Sequence, residues 1–216
     1  MTNSTVQLKG GEFLSYTEKY YRHNNEKKLD IITVFREPLE RCISSFFQTY
    51  GDDVVTYGWE KDITSTIIYR NSIEELQARF IRELDNQKLQ GGFESIDEIC
   101  DELQLKIVDL NYDLDKQHGL VELNFCRLFI LRFDSLIYEN FLEYVLSEIT
   151  GQSIVQENAN TSSSKWYRDI FKEFKASIKI PQELVLRAYE SRKEIINILY
   201  PGEYHSLLTK ALKKYG

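Results

Sequence analysis

LDIITVFREPLERCISSFFQTY, residues Leu29 to Tyr50, is the stretch on which the fold of this chain turns. It opens with a dense apolar and β-branched run, Ile31-Ile32-Thr33-Val34-Phe35, too short for an independent helix and suited to a strand buried on both faces. Arg36-Glu37-Pro38 follows, and Pro38 fits the first turn of a helix, where its missing N–H costs nothing. Leu39, Ile43, Phe46 or Phe47, and Tyr50 then recur at helical spacing as a core stripe, with Arg41, Ser44, Ser45 and Gln48 on another face. A strand thus delivers Arg36 to the start of a helix whose side carries Ser44. Strand ends and helix N-termini favour anions through backbone N–H groups and the helix dipole. Arg36 adds a permanently charged planar fork of donors and Ser44 a hydroxyl, a pairing suited to a phosphate monoester. The plainer alternative is an arginine paired to an acidic neighbour and a serine on a helix surface.

Outward from this stretch, 216 residues can bury one sizeable core, and no Pro/Gly/Ser-rich linker divides them, so a single domain is expected. It would carry an N-terminal helical region over residues 1–28 and a C-terminal helical region over 165–216. The net charge of -7 argues against general nucleic-acid binding, although a local basic pocket is compatible with it. Cys42, Cys100 and Cys126 are few and widely spaced, and read as reduced packing residues, which points to a reducing, cytoplasmic setting. No apolar run approaches the roughly 20 residues of a membrane span and no signal-peptide layout opens the chain, so a soluble protein is expected.

Ahead of Leu29, Thr5 to Leu8 reads as a short strand, and Lys9-Gly10-Gly11 resembles the remnant of a phosphate loop, against the simpler reading of a flexible terminus. Neither GxxxxGK[ST] nor GxGxxG occurs, which counts against a nucleotide kinase or NTPase. Glu12 to His23 has an aromatic-rich helical face, and His23 at its end reads as structural or solvated rather than catalytic. Ser72 with Glu75, and Ser95 with Glu98, form capping-box patterns for two helices. YDLDKQHG, residues Tyr112 to Gly119, is a turn or loop; its Asp113, Asp115 and His118 match no established metal-ligand spacing, and no metal is expected. A second apolar strand, Cys126 to Phe133, leads into a helix from about Tyr138 to Thr150 that stops at Gly151 in C-cap fashion. Two strand-turn-helix units separated by helices predict an α/β fold with a parallel β-sheet flanked by helices. Beyond a polar loop at Gln152 to Ser164, helices are expected through about Ile178, from Pro181 to about Ile198, and from Gly202 to Lys214.

Arg36-Glu37-Pro38-Leu39-Glu40-Arg41-Cys42-Ile43-Ser44 resembles the RxPxxRxxS signature with which sulfotransferases bind the 3'-phosphate of 3'-phosphoadenosine 5'-phosphosulfate (PAPS), with the same eight-residue interval between Arg and Ser. Phe129 to Leu136 resembles that superfamily's strand ending in a Glu/Asp-Asp-Leu turn, with Ser135 as a departure. The Asn-rich loop, Lys165-Trp166-Tyr167, Phe171 to Lys175, Ile178 to Glu183 and Tyr189-Glu190-Ser191 are similar to capsular polysaccharide synthesis proteins, a sulfotransferase-like family. The resemblance covers most of the chain from Leu29 onward. It implies a three-layer α/β/α fold of the P-loop NTPase type and PAPS as co-substrate, with 3'-phosphoadenosine 5'-phosphate as product. It further implies a carbohydrate acceptor, nucleotide contacts at Arg36 and Ser44, and Lys165 as a further phosphate contact. The catalytic base is not implied by any residue here. The departure is equally specific: nothing before Leu29 supplies the Lys- and Gly-containing loop for the 5'-phosphosulfate. Either Lys9-Gly10-Gly11 is a degenerate version of that loop, or the chain is a shortened or divergent member lacking the first strand and loop. The competing expectation is a catalytically inactive sulfotransferase-like binding or assembly module.

Overall fold

The structure is a computed structural model that describes residues 13–24, 27–56, 72–86, 96–137, 140–153 and 167–216. The expected strand at Thr5 to Leu8, the Lys9-Gly10-Gly11 turn, the capping residue Ser95 and the polar loop with Lys165-Trp166 lie outside the described residues, apart from Gln152 and Ser153. The chain divides into two compact units, one formed by residues 1–36, 92–155 and 197–199, the other by residues 37–91, 156–196 and 200–216.

The first unit is built on β1 (Leu29–Phe35), which is extended as the sequence predicts but is not buried on both faces: it lies at the edge of the sheet, Thr33 and Phe35 are buried, and Ile32 is exposed. Its neighbour is β4 (Cys126–Arg132), paired in parallel from Leu29 opposite Cys126 to Phe35 opposite Arg132. β4 is buried on both faces: Leu128, Phe129, Ile130 and Leu131 are all in the core, which explains an unbroken apolar run instead of alternation. The remaining strands, β2 (Tyr112–Asp113) and β3 (His118–Glu122), correct the expectation of a parallel sheet. The order is β1-β4-β3-β2, and both β3–β4 and β2–β3 are antiparallel, so the sheet is mixed. Only residues 123–125 separate β3 from β4, and so short a connection can join antiparallel neighbours but cannot make a parallel crossover. Gly119 in β3 is required by close approach: a Cβ there would stand 2.6 Å from the Asn111 carbonyl oxygen.

Among the described residues, three α-helices accompany the sheet within this unit: α1 (Phe13–His23), α4 (Ile96–Glu102) and α5 (Phe141–Thr150). α1 and α4 pack against β1. Val145 and Ile149 of α5 pack on Phe129 and Leu131, with Val34, Leu136, Phe141 and Leu142 around them. α5 ends where the sequence predicts, on Gly151 with φ 66, a left-handed C-cap that glycine adopts without a Cβ clash.

The second unit is helical. α2 (Pro38–Thr56) starts on the proline, and α3 (Ile73–Asp85) starts on the foreseen capping box, in which Ser72 Oγ accepts from the Glu75 amide at 3.2 Å and Glu75 accepts from the Ser72 amide at 2.8 Å. α6 (Arg168–Ser177), α7 (Gln182–Glu190) and α9 (Tyr204–Tyr215) complete it. The expected single helix from Pro181 to Ile198 is broken at Ser191-Arg192, so that α8 (Lys193–Leu199) is separate, and its residues 197–199 belong to the first unit. The core is aromatic: Phe46 and Phe47 of α2, Phe80 of α3 and Phe174 of α6 meet with centroids 5.1 to 5.8 Å apart, mostly edge to face. Leu39 and Ile43 lie fully buried on the same α2 stripe, as the helical spacing requires.

No described helix is long and apolar enough to cross a membrane.

Candidate functional site

In the first unit, the parallel register sets Arg36 and Phe133 just beyond the carboxyl ends of adjacent strands. The Arg36 guanidinium carbon stands 4.3 Å from the centroid of the Phe133 ring, a cation–π contact that holds the half-buried arginine at the strand end. The neighbouring Arg132 is committed to the protein itself. It donates to Gln117 Oε1 at 3.0 Å, to Ser135 Oγ at 3.4 Å and to the Leu199 carbonyl at 3.4 Å, with Asp134 Oδ1 3.6 Å away. Ser135 is fully buried, and its hydroxyl donates to the same Gln117 oxygen at 3.1 Å. Thus the serine that departs from the sulfotransferase turn has a structural duty here: it fixes the loop that follows β4. Asp113 also has a local role, accepting from the amides of Asp115 and Lys116 at 3.0 Å each, an Asx turn between β2 and β3.

In the second unit, α2 carries the rest of the motif. The Glu37 carboxylate accepts from the amide of Leu39 at 3.3 Å and of Glu40 at 2.7 Å, so the chain's own carboxylate caps the helix end that the sequence offered to an anion. Tyr189 Oη donates to the same carboxylate. Burial raises the Glu37 pKa above the ordinary carboxylate value even though these hydrogen bonds pull the other way, and burial together with Glu37 raises that of Tyr189.

One turn further, Glu40 receives Lys175 Nζ at 2.5 Å, Lys214 Nζ at 2.6 Å and Tyr215 Oη at 2.5 Å. Burial alone would raise its pKa; these donors outweigh burial and hold it at about 2.

Arg41 and Ser44 are three positions apart on α2 and therefore neighbours on its surface, both half-buried. Arg192, in the break between α7 and α8, feels the charge of Arg41: its pKa is lowered first by burial and then by that positive charge. Cys42 between them is buried, and burial followed by the Glu37 charge pushes its thiol up to about 12, so it is packing and not a nucleophile. The Glu37 carboxylate bears on the Cys42 thiol together with Arg41 and Arg192, so charges of both signs already meet on this stretch of α2. Arg192 was not singled out by the sequence because only a fold can bring the α7–α8 break to α2.

Of the predicted nucleotide contacts, Arg36 therefore belongs to the first unit, Ser44 to the second, and Lys165 lies outside the described residues. No family model matches the sequence, and neither the curated proteins nor the solved structures contain a significant match.

Proposed function

We propose that this chain is a sulfotransferase-like protein that takes PAPS as co-substrate and a carbohydrate hydroxyl as acceptor, in capsular or other surface-polysaccharide synthesis. The observation that supports the reading is the strand-to-helix passage through Arg36: β1 ends at Phe35 beside β4, α2 begins at Pro38, and Ser44 is half-buried on that helix, as the RxPxxRxxS pattern requires. In this reading Arg36 and Ser44 contact the 3'-phosphate, and Lys165 is a further phosphate contact. The three-layer, P-loop-like architecture belongs to the same proposal; the parallel β1–β4 pair is the part of the sheet that agrees with it. Moving a sulfuryl group would further require donors at the leaving phosphate and a base at the attacking hydroxyl.

Calorimetric titration with 3'-phosphoadenosine 5'-phosphate tests the reading. Binding is expected, and Arg36→Ala and Ser44→Ala are each expected to weaken it, the arginine by about 10-fold or more, the range of a lost charge-assisted hydrogen bond. Adenosine 5'-phosphate, lacking the 3'-phosphate, should bind more weakly and respond little to either change. No binding, or binding untouched by Arg36→Ala, overturns the proposal.

A second reading, a binding or assembly module without turnover, is favoured by the Glu37 carboxylate that already caps α2. Transfer of radiolabelled sulfate from PAPS to any polysaccharide acceptor would reject it.

A further inference from the structure

Within the second unit, a surface groove of about 390 Å³ is lined by Arg168, Phe171, Lys172, Lys175, Ala176 and Lys214. Its charge is one-sided in a protein whose net charge is -7. Arg168, Lys172 and Lys175 are spaced by four and three residues on α6, hence share a face, and span about 10 Å of helix at about 1.5 Å per residue. Lys214 comes from α9. Among the described residues two carboxylates pair with this set, and the exposed Glu173 follows Lys172 on the same helix outside the lining. Asp169 Oδ1 lies 3.2 Å from Arg168 Nε, and Glu40 holds both Lys175 and Lys214. Four cations against two carboxylates leave the groove positive, and the Glu40 anchor orders two long side chains that would otherwise lose entropy on gripping a ligand. Phe171 adds a half-buried ring to the lining, with Lys175 Nζ 5.8 Å from its centroid.

We infer that this groove binds an acidic polysaccharide, with Arg168, Lys172, Lys175 and Lys214 meeting successive carboxylate or sulfate groups and Phe171 meeting a sugar ring. A row of cations at one-turn intervals suits a ligand whose negative charge repeats, and a volume in the range of ligand clefts leaves room for the sugars between. Nucleic acid fits less well. Single-stranded nucleic acid is gripped by a charged groove together with aromatic rings on which successive bases stack, and the lining of this groove has one ring, Phe171. Insofar as the groove names the acceptor, the inference rests on the sulfuryl-transfer reading; binding itself does not.

The test is a fluorescence titration of the full chain with labelled dextran sulfate, neutral dextran and a single-stranded oligonucleotide. Dextran sulfate is expected to bind, with affinity falling at least 10-fold as salt rises from about 0.05 to about 0.3 M, because exposed charges are screened. The double variant Arg168→Glu, Lys172→Glu should lose at least a further 10-fold; both side chains are exposed, and an unchanged melting temperature confirms that the fold persists. Undiminished binding by the double variant, equal binding of neutral dextran, or an oligonucleotide binding as tightly as dextran sulfate overturns the inference. The nucleotide titration separates the two proposals: loss of dextran sulfate binding in the double variant, in a protein that binds no 3'-phosphoadenosine 5'-phosphate, leaves the groove standing and removes the sulfuryl-transfer reading.

Discussion

Replacing Glu40 with glutamine removes the carboxylate that gathers Lys175, Lys214 and Tyr215, and its cost can be worked from the structure. A carboxyl held at about 2 instead of 4.5 corresponds to roughly 3 kcal/mol of preference for the charged form, at about 1.4 kcal/mol per tenfold change. The Glu40 side chain is only 18% exposed, but Lys214 is 51% exposed, so solvent screens part of the interaction; about 2 kcal/mol is the expected loss at neutral pH. The sign of the pH dependence follows from the direction of the shift. The folded-state pKa is depressed, so this stability is complete above the ordinary carboxylate value of 4.5 and is lost as pH falls through about 2. Urea unfolding, followed by circular dichroism at pH 7 and at several points between pH 4.5 and 2, measures it directly. Wild type and Glu40→Gln should differ by about 2 kcal/mol at pH 7 and converge on acidification. A gap of the same size at every pH would refute an electrostatic origin, and no gap at pH 7 would refute the network.

Two other outcomes are expected. Phe174→Ala opens a void among Phe46, Phe47 and Phe80 and should cost about 3–5 kcal/mol of stability in the same urea assay, because those rings cannot all close over the gap. Cys42, Cys100 and Cys126 are buried with thiols pushed up to about 12, 11 and 11, so iodoacetamide at pH 7 should alkylate none in the native protein and all three in urea, read by intact mass; rapid native labelling would contradict their burial.

The stretch from Leu29 to Ser44 was legible because local chemistry and tertiary fate agree there. A β-branched run makes the strand, Pro38 begins the helix, and Leu39, Ile43, Phe46 and Phe47 go to the core as their spacing demands. The capping box at Ser72 and the Gly151 cap were readable for the same reason: each is a local hydrogen-bonding or backbone requirement. The β2–β3 hairpin was not. Tyr112–Asp113 is two residues long, and His118 to Glu122 shows neither a long apolar run nor clean alternation, so only pairing along β4 makes these strands. The site followed the same division. Arg36, Arg41 and Ser44 stand in one readable motif, whereas the approach of Arg192 to Arg41, and the capping of α2 by Glu37, depend on packing and on rotamers that no spacing encodes.

The pairing of β1 with β4 also sets a schedule. Asp30 and Arg127, which join the two strands by hydrogen bonds of 2.6 and 2.9 Å, are 97 residues apart in the chain. At about 5–20 residues per second of synthesis, β1 emerges from a ribosome roughly 5–20 seconds before its partner strand emerges. During that interval Ile31, Ile32, Val34 and Phe35 form an unpaired, sticky edge, with nothing of their own sheet to cover them. The same strand that orients Arg36 is thus the segment that a nascent chain must keep from its neighbours, and slow, non-local closure is the kinetic signature to expect of this sheet.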